Sequence, residues 1–371
     1  MLDGRSWNPA FRWHERRAPL LVIETDAGIA GVGEAWSRQA QIGLVLDDLA
    51  LRCAPALLGR EPAAHADLVA GLRQGDPAPA AWVAAATASA IDLALWDIAA
   101  QARGEPLWRA LGGARGRARV YASGGLYRDG TTPDDLAGEM TGYVADGHSA
   151  VKMKIGALAR DADLARVRAV RAALGPRATL WVDAVNRLDR AGAPATCDAL
   201  RTAGAAAIQA PLPFDDVAGM ALLDAGHLPV VANESAYREE AFVELLDTGA
   251  VTYLQFCLGL CGGYTGAARL DALASQRGIG STPQCFSTAV LQAASLHFAA
   301  AHENVVSCEV HRFHDHLHAA LPASMRRVEA GCIHLDDAPG LGVAPPALGA
   351  QPGGGEVRLH RQVSLHETSP S

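Results

Sequence analysis

The sequence lacks the features that mark several large protein classes. Its seven cysteines include no Cys-x-x-Cys pair, so we expect reduced thiols and neither a disulfide framework nor a zinc site. Lysine and arginine form no dense cluster, and the formal net charge is −8. This composition argues weakly against binding to nucleic acid or to an anionic membrane surface.

Long apolar segments are also missing. The N-terminal residues MLDGRSWNPAFRWHERR contain no apolar stretch typical of a secretory signal. Nowhere do about 18 apolar, uncharged residues follow one another, so no transmembrane helix is expected. We therefore expect a cytoplasmic protein. Half of the 371 residues are hydrophobic and 19% are charged, which is typical of a globular chain of one large domain or two ordinary ones.

The first third of the chain has the pattern of a small α+β unit. Residues 20–36 predict two short strands joined by a turn at Asp26-Ala27-Gly28. Residues 88–113 predict a helical stretch, because apolar side chains recur at helical spacing until Gly104 and Pro106 stop the pattern. At the other end, a Pro/Gly-rich loop after residue 350 precedes one further predicted strand at 356–363.

After residue 118, short β-like segments alternate with helical ones. The predicted strands are 119–123, 150–155, 179–185, 206–212, 229–235, 251–256, 278–283 and 305–310. Polar residues at the ends of these strands recur every 23 to 29 residues, from Lys154 to Glu309. This period predicts a (β/α)8 barrel, in which the carboxyl ends of the strands converge on one site.

One of these strands raises a physical question. The segment AVKMKIG (150–156) carries Lys152 and Lys154 at positions i and i+2, so both side chains point to the same side of an apolar strand. Burying a charge is costly unless the charge is paired. Mutual repulsion and desolvation both act to lower a lysine pKa, and a neutral amine near pH 7 is able to accept a proton.

The chain resembles the enolase superfamily, in particular its mandelate racemase/muconate lactonizing enzyme branch. ETDAGIAGVGEAW resembles the capping-domain hairpin, VKMKIG the KxK motif, WVDAVN the third-strand metal motif, ANES the fifth-strand ligand segment and DDAPGLGV the return to the cap. The resemblance implies an α/β fold with a (β/α)8-type TIM barrel (118–325). It also implies an N-terminal α+β capping domain (1–117), which the C-terminal segment (326–371) completes.

The resemblance implies a chemistry as well. Members of this family take a proton from the carbon beside a carboxylate, and a divalent ion, usually Mg²⁺, stabilises the enediolate. Lys154 matches the general base, and Lys152 matches the partner that holds the base near the substrate carboxylate. Glu309 matches the eighth-strand residue that hydrogen-bonds this carboxylate, for which it has to be protonated.

The metal ligands that the resemblance implies are Asp183, Gln209 and Glu234, and two features depart from the family pattern. Gln209 replaces a ligating glutamate, and hard divalent ions favour carboxylates over uncharged amides. One extra residue separates Asp183 from Asn186, which we expect to bind substrate or to point elsewhere. The expected Mg²⁺ site is therefore weakened, or absent.

The opposite side of the barrel departs further. Cys257 and Gln284 stand where racemase-type members carry an Asp and a His as a second acid/base pair, and the strand-six lysine of the lactonizing type is missing too. Cys257 is either an acid with a tuned pKa or a small apolar packing residue. His14, Arg16 and Arg17 match the capping loop that closes over the substrate, and among them we expect His14 to bind the substrate. A loop suits the four histidines at 311, 314, 316 and 318 better than a metal site does.

We therefore expect an enzyme that removes the α-proton of a small carboxylate substrate with a lysine base. Because no second base is seen, a lyase such as a dehydratase is favoured over a two-base racemase. Three alternatives stay open: a metal-independent enzyme of specialised metabolism, a racemase or epimerase, and a non-catalytic relative. The expected partners are a small molecule and further copies of the chain in a homo-oligomer.

Overall fold

The computed structural model describes residues 4–344 apart from Trp13, Glu15, residues 75–77, Pro79, residues 224–227 and His314. The predicted strand at 356–363 lies outside the described residues. The strands are β1 (Ser6–Trp7), β2 (Leu20–Glu24), β3 (Ala30–Glu34), β4 (Arg117–Ser123), β5 (Tyr127–Arg128), β6 (Ala150–Lys154), β7 (Thr179–Asp183), β8 (Ala207–Gln209), β9 (Val230–Ala232), β10 (Val251–Cys257), β11 (Gly280–Gln284), β12 (Cys308–His311), β13 (Val328–Glu329) and β14 (Cys332–His334).

Helices connect most of these strands. The α-helices are α1 (Ile42–Asp48), α2 (Ala54–Leu57), α3 (His65–Gln74), α4 (Ala81–Ala102), α5 (Leu107–Ala110), α6 (Pro133–Ala145), α7 (Arg160–Leu174), α8 (Ala193–Thr202), α9 (Val217–Met220), α10 (Glu239–Asp247), α11 (Gly263–Gln276), α12 (Ala289–Ala301) and α13 (Ala323–Arg326). A π-helical turn (Leu49–Cys53) and short 3₁₀ turns (Gln39–Gln41, Pro62–Ala64, Asp315–His318) complete the set.

Eight parallel strands form the barrel. Neighbours are hydrogen-bonded in the order β12-β4-β6-β7-β8-β9-β10-β11, and an isolated parallel bridge between Ser281 and Val305 joins the two ends of this order. The predicted (β/α)8 barrel is therefore confirmed. The predicted strand 206–212 is shorter than expected, because Ala210 adopts a φ of 44° and the backbone leaves the extended conformation there.

The barrel interior is layered. The lower layer is aromatic: the ring centroids of Tyr121 and Trp181 lie 4.9 Å apart, and those of Trp181 and Tyr253 lie 5.6 Å apart. Because side chains alternate along a strand, the inward-facing residues two positions further on form the next layer. This second layer is polar, and it includes Asp183 and Gln255. The aromatic layer thus closes the barrel beneath a polar mouth.

The hairpin of β2 and β3 packs directly on α4. A Cβ atom at Gly33 would lie 1.9 Å from the carbonyl oxygen of Ala90, and one at Gly31 would lie 2.2 Å from that of Ala94. Any side chain at these glycines would push the strand off the helix, so the close approach requires glycine. The run AGVGE in β3 is therefore explained by packing.

Among the described residues, helix α4 is long and apolar enough to cross a membrane by length and composition, but most of it is buried inside the fold. Its Asp97 carboxylate accepts backbone N–H bonds from Val32 (3.0 Å) and Leu341 (2.8 Å). Helix α4 is therefore the core helix of the cap, and Asp97 joins β3 and the C-terminal segment to it. Before reaching the cap, the same segment forms β14, which pairs antiparallel with β4.

Candidate active site

Lys152 lies in the polar layer and has no exposed surface. Its ammonium nitrogen is 2.5 Å from Gln209 Oε1, 2.8 Å from Glu309 Oε1 and 3.4 Å from Asp183 Oδ2. The ring centroid of Tyr121 lies 5.4 Å from the same nitrogen. An ammonium group has three N–H donors, and each has an acceptor here. The apolar strand thus buries a charge whose hydrogen-bonding groups are satisfied.

Lys154 lies two residues closer to the end of β6 and is 7% exposed. Its ammonium nitrogen is 2.6 Å from Asp183 Oδ2, the oxygen that Lys152 also contacts. One carboxylate oxygen therefore faces two ammonium groups. Since Lys154 contacts a single carboxylate and Lys152 contacts two, the two lysines have different electrostatic surroundings.

The backbone at the end of β6 is fixed by a buried network. Arg166 Nη1 donates to the carbonyl oxygen of Lys154 (2.8 Å) and to Asp163 Oδ1 (3.0 Å). The hydroxyl of Tyr127 donates to Asp163 Oδ1 (2.6 Å), and the N–H of Gly156 donates to Asp163 Oδ2 (2.8 Å). This network positions the Lys154 backbone from the side of the strand that faces α7.

The expected lowering of the pKa is wrong for Lys152. Burial by itself lowers the pKa of this lysine, but the carboxylates of Glu309 and Asp183 outweigh burial and raise it. Burial likewise acts to raise the pKa of Asp183, and the ammonium groups of Lys154 and Lys152 lower it instead. Sequence spacing predicted the repulsion between the lysines, whereas it did not show that carboxylates from three other strands surround them.

The loop after β7 accommodates its extra residue with unusual backbone angles. Val185 has a φ of 53° and Asn186 a φ of 59°, and the first value is uncommon for a β-branched residue. The N–H of Val185 donates to Asp183 Oδ1 (2.9 Å). The side-chain oxygen of Asn186 accepts a bond from Asn233 Nδ2 (2.8 Å), which links the loops after β7 and β9. Asn186, predicted to bind substrate, thus also has a structural partner.

The three predicted metal ligands lie on adjacent strands, but their oxygens do not fit a resident Mg²⁺. Asp183 Oδ1 and Oδ2 are bonded to a backbone N–H and to the two lysines, and Gln209 Oε1 accepts from Lys152 and from Gln255 Nε2 (3.3 Å). Glu234 Oε2 alone is buried without a hydrogen-bond partner. Within the described part of the chain, no group of three or more His, Cys, Asp or Glu residues is arranged to hold a metal ion.

Burial and repulsion from Asp183 raise the pKa of Glu234 to about 7, although the lysines oppose this change. Glu309 belongs to the same buried group of charges. Its Oε1 pairs with Lys152, and its Oε2 is buried and has no hydrogen-bond partner among the described residues. The predicted donation from Glu309 to a substrate would have to come from this second oxygen. We refer to the mouth formed by β6, β7, β8, β9 and β12 as the lysine half.

We refer to the part of the mouth formed by β10 and β11 as the cysteine half. Cys257 is buried, and burial raises the pKa of its thiol to about 12. Cys257 pairs in register with Gln284, whose side chain is half-buried. Cys285 is fully buried, and burial raises the pKa of its thiol well above the usual value. This half thus presents thiols and an amide where the lysine half presents charges.

One cation reaches the cysteine half from the cap. Arg16 Nη2 donates to the carbonyl oxygen of Phe286 (2.6 Å) and to Ser287 Oγ (3.1 Å), and Arg16 Nε is buried without a hydrogen-bond partner. Burial lowers the pKa of Arg16, although the nearby Glu34 opposes the change. His14, which was predicted for the same capping loop as Arg16, is exposed and lies beside Gly4. Of these two predicted residues, the structure therefore places Arg16 against the barrel mouth.

Two of the described histidines in this part of the chain, His311 at the end of β12 and His318 in the turn after it, contact each other. His311 Nε2 donates a hydrogen bond to the carbonyl oxygen of Ser287 (2.9 Å). Its ring centroid lies 4.3 Å from that of His318, whose pKa burial lowers to about 4. His314 lies outside the described residues. His311 and His318 pack against each other beneath the loop that follows β12.

Sequence reasoning missed two signals. Lys152 and Lys154 are the only lysines among the 32 lysine and arginine residues of the chain, so every other basic side chain of this count is an arginine. Gln255 lies two residues before Cys257 and donates to both Tyr121 (3.2 Å) and Gln209 (3.3 Å). The lysine count would have singled out Lys152 and Lys154, and the alternation of side chains along β10 would have placed Gln255 on the same face as Cys257.

Comparison with known proteins agrees with this architecture. A family model described as the mandelate racemase/muconate lactonizing enzyme N-terminal domain matches residues 12–112, and one described as enolase C-terminal domain-like matches residues 135–347. The D-galactarolactone cycloisomerase of Agrobacterium fabrum is 31% identical, and the match covers 92% of each chain. The D-galactonate dehydratase of Ralstonia nicotianae is 30% identical over 75% of this chain and 74% of that protein.

A solved structure extends the comparison. A racemase from Streptomyces coelicolor A3(2) with bound magnesium is 25% identical, has a TM-score of 0.78, and is matched over 88% of this chain and 92% of that chain. The named activities of the relatives confirm the predicted class, an enzyme of the lyase or isomerase type. The chain belongs to the enolase superfamily, in its mandelate racemase/muconate lactonizing enzyme branch.

Proposed function

We propose that this protein is a dehydratase of a sugar-acid carboxylate, with Lys154 as the base that removes the α-proton. The observation that carries the proposal is the unequal pair of lysines in the barrel mouth. The cycloisomerase and dehydratase relatives are named for sugar-acid substrates, which supports this substrate class.

The surroundings of the two lysines divide their roles. Lys152 contacts the carboxylates of Glu309 and Asp183, and these raise its pKa, so it stays an ammonium group during the reaction. Among the described residues, the one carboxylate that contacts Lys154 is that of Asp183, which Lys152 contacts as well. Removing the Lys154 proton leaves that carboxylate paired, whereas removing the Lys152 proton would leave Glu309 without its cation. Lys154, which keeps fewer carboxylate contacts and lies closer to the end of β6, is therefore the lysine better placed to act as the base.

The reaction needs one base. The α C–H proton moves to Lys154 Nζ, and the electron pair of that bond moves into the substrate carboxylate to form an enediolate. When the enediolate collapses, the bond to the β-hydroxyl breaks, and this oxygen takes the proton back from Lys154 and leaves as water. The net change is loss of water from the substrate, and Lys154 returns to its starting form.

The cysteine half supports elimination over racemisation. A two-base racemase needs a second proton donor across the substrate, whereas Gln284 is an amide and the Cys257 thiol has a pKa of about 12. Both groups are too weakly acidic or basic to exchange a proton with the opposite face at neutral pH. A single base on one side of the substrate is enough for dehydration.

Proton exchange with solvent tests this function. The enzyme would be incubated in D₂O with aldonic and aldaric acids of five and six carbons, and proton NMR would follow the α C–H signal. We expect one stereochemical series to lose this signal while a 2-keto product forms. If no acid in the panel exchanges its α-proton, with or without added Mg²⁺, the proposed function is wrong.

A further inference from the structure

We infer that this site works without a divalent ion, and that the buried Lys152 ammonium supplies the positive charge that stabilises the enediolate. The inference rests on the proposed function, because it names the group that takes the role of the electrophile in that reaction. It starts from the disagreement between the magnesium chemistry of the family and the donor atoms of this chain.

The charges around the predicted metal position disfavour a bound dication. The family pattern places three carboxylates around the metal, whereas this chain has Asp183 and Glu234 with an uncharged Gln209 between them. Two ammonium groups already contact Asp183 Oδ2, at 2.6 and 3.4 Å. A dication bound to the same carboxylate would repel both ammonium groups in a low-dielectric interior, where such repulsion is poorly screened.

The side-chain oxygen of Gln209 is already used as a hydrogen-bond acceptor. A glutamate at this position would direct a carboxylate into the site, whereas the Gln209 amide oxygen accepts a bond from Lys152 at 2.5 Å and another from Gln255 at 3.3 Å. The amide therefore holds the Lys152 ammonium without neutralising it. Glutamine in place of glutamate at position 209 thus has two effects. It removes a charged metal ligand, and it leaves the positive charge of Lys152 less neutralised.

The buried charge of Lys152 is placed to stabilise the enediolate. When the α C–H electron pair moves into the substrate carboxylate, negative charge builds up at the barrel mouth. Lys152 has no exposed surface and is held by three acceptors, so its charge acts through the protein interior and does not reorganise during the step. Fixed charges of this kind stabilise a transition state more effectively than mobile solvent does.

A paramagnetic ion provides a direct test. Since the chain has only two lysines, protein labelled with ¹³C-lysine gives two side-chain Cε signals. Mn²⁺ takes magnesium sites and would broaden both signals if it bound between Asp183 and Glu234. We expect equimolar Mn²⁺ to leave both signals of the native protein sharp, and broadening would overturn the inference.

Two matched variants locate the cause. Gln209→Glu adds a carboxylate at the ligand position, and Gln255→Glu adds the same charge at a neighbouring buried glutamine. We expect Mn²⁺ to broaden the lysine signals in Q209E and not in Q255E. If Q209E also stays sharp, or if both variants broaden, the assignment of metal exclusion to Gln209 is overturned.

Exchange kinetics separate this inference from the proposed function. We expect the α-proton exchange rate to change less than twofold between buffer with EDTA and buffer with Mg²⁺. Exchange that occurs only with Mg²⁺ overturns the inference and leaves the proposed function standing, whereas no exchange in either buffer overturns the proposed function.

The role of the charge itself is tested at Lys152. Lys152→Met removes the charge and Lys152→Arg keeps it, and the single remaining lysine signal together with thermal unfolding reports whether each variant is folded. We expect K152R to exchange at least tenfold faster than K152M at saturating substrate. Equal rates in two folded variants would contradict an electrostatic role.

Discussion

The lysine half and the cysteine half of the barrel mouth are built on the same kind of strand but carry opposite chemistry. In the lysine half, buried charges contact one another, as between Lys152 and Glu309 at 2.8 Å. In the cysteine half, the corresponding strand ends carry Cys257 and Gln284. Because the lysine half holds buried charges while burial raises the pKa of the Cys257 thiol, the difference favours chemistry on one face of a substrate.

The largest effect is expected in the lysine half, at Lys154. Lys154→Ala removes the proposed base, and loss of a general base typically lowers the rate by about 10²–10⁴-fold. Turnover and deuterium exchange would be measured together, with thermal unfolding as the check on the fold. A variant that keeps native turnover would show that the base lies elsewhere in the mouth.

An intermediate effect is expected at Arg16, the cation that the described residues place against the cysteine half. Arg16 donates to Phe286 and Ser287, and no described residue bonds its buried Nε, so this donor is left for a polar group of a bound substrate. We expect Arg16→Met to raise KM by about tenfold, the equivalent of 1.4 kcal/mol, while kcat changes little.

The matched control for this prediction is Arg17→Met, since Arg17 is exposed and belongs to the same segment. Initial rates across a range of substrate concentrations would separate KM from kcat. A fall in kcat with an unchanged KM for R16M would contradict a binding role for Arg16.

A smaller effect concerns acid stability, and it arises in α12, behind the cysteine half. His297 accepts the N–H of Trp108 at Nδ1 (3.0 Å) and contacts the carbonyl oxygen of Leu341 at Nε2 (3.2 Å). Burial lowers its pKa to about 4 from the ordinary value near 6.5, although the Leu341 carbonyl opposes the change. A lowered histidine pKa means that stability is fully present above pH 6.5 and is lost as the pH falls towards 4.

The expected loss from this one histidine is at most about 3 kcal/mol. His297→Gln should therefore lower the melting temperature at pH 7 and yet lose less stability than the native protein between pH 7 and pH 4.5. His14→Gln, at an exposed histidine, is the control. Parallel losses in H297Q and the native protein would show that His297 does not sense pH in this range.

The smallest effect is expected at Cys257. Burial raises the pKa of its thiol to about 12, so the group stays protonated through the working pH range. We expect Cys257→Ser to change kcat by less than about threefold, since hydroxyl and thiol are similar in size and neither ionises near neutral pH. A loss of a hundredfold would mean that the thiol donates a proton, and the two halves would then share the chemistry.

The fold was largely predictable from the sequence, because the regular spacing of strand-like segments and of the polar residues at their ends indicates a (β/α)8 barrel. The strand-end period of 23 to 29 residues predicted eight barrel strands, and the hairpin at 20–36 was found as β2 and β3. The predicted helix at 88–113 begins earlier, at Ala81, and ends at Ala102, with α5 after it. Element bounds depend on local angles such as that of Ala210, which residue pattern alone does not report.

The site was less predictable, because its properties depend on contacts between strands. The positions of Lys154, Asp183 and Gln209 at neighbouring strand ends followed from spacing. The bond from Lys152 to Gln209 and the approach of Arg16 to Ser287 did not, since these join residues 57 and 271 positions apart. The direction of the Lys152 pKa depends on those contacts, and the sequence therefore suggested the wrong sign.

The restriction of lysine to the barrel mouth has a practical consequence. Apart from the α-amino group of Met1, the chain has only two amines, both inside the barrel, and of these Lys152 is fully buried whereas Lys154 is 7% exposed. Guanidinium groups, which serve all other cationic positions, do not react with such reagents under mild conditions. Beyond the label on Met1, covalent labelling of amines would therefore report on Lys154, and a substrate analogue that blocks this label would reveal occupancy of the site without any assay of turnover.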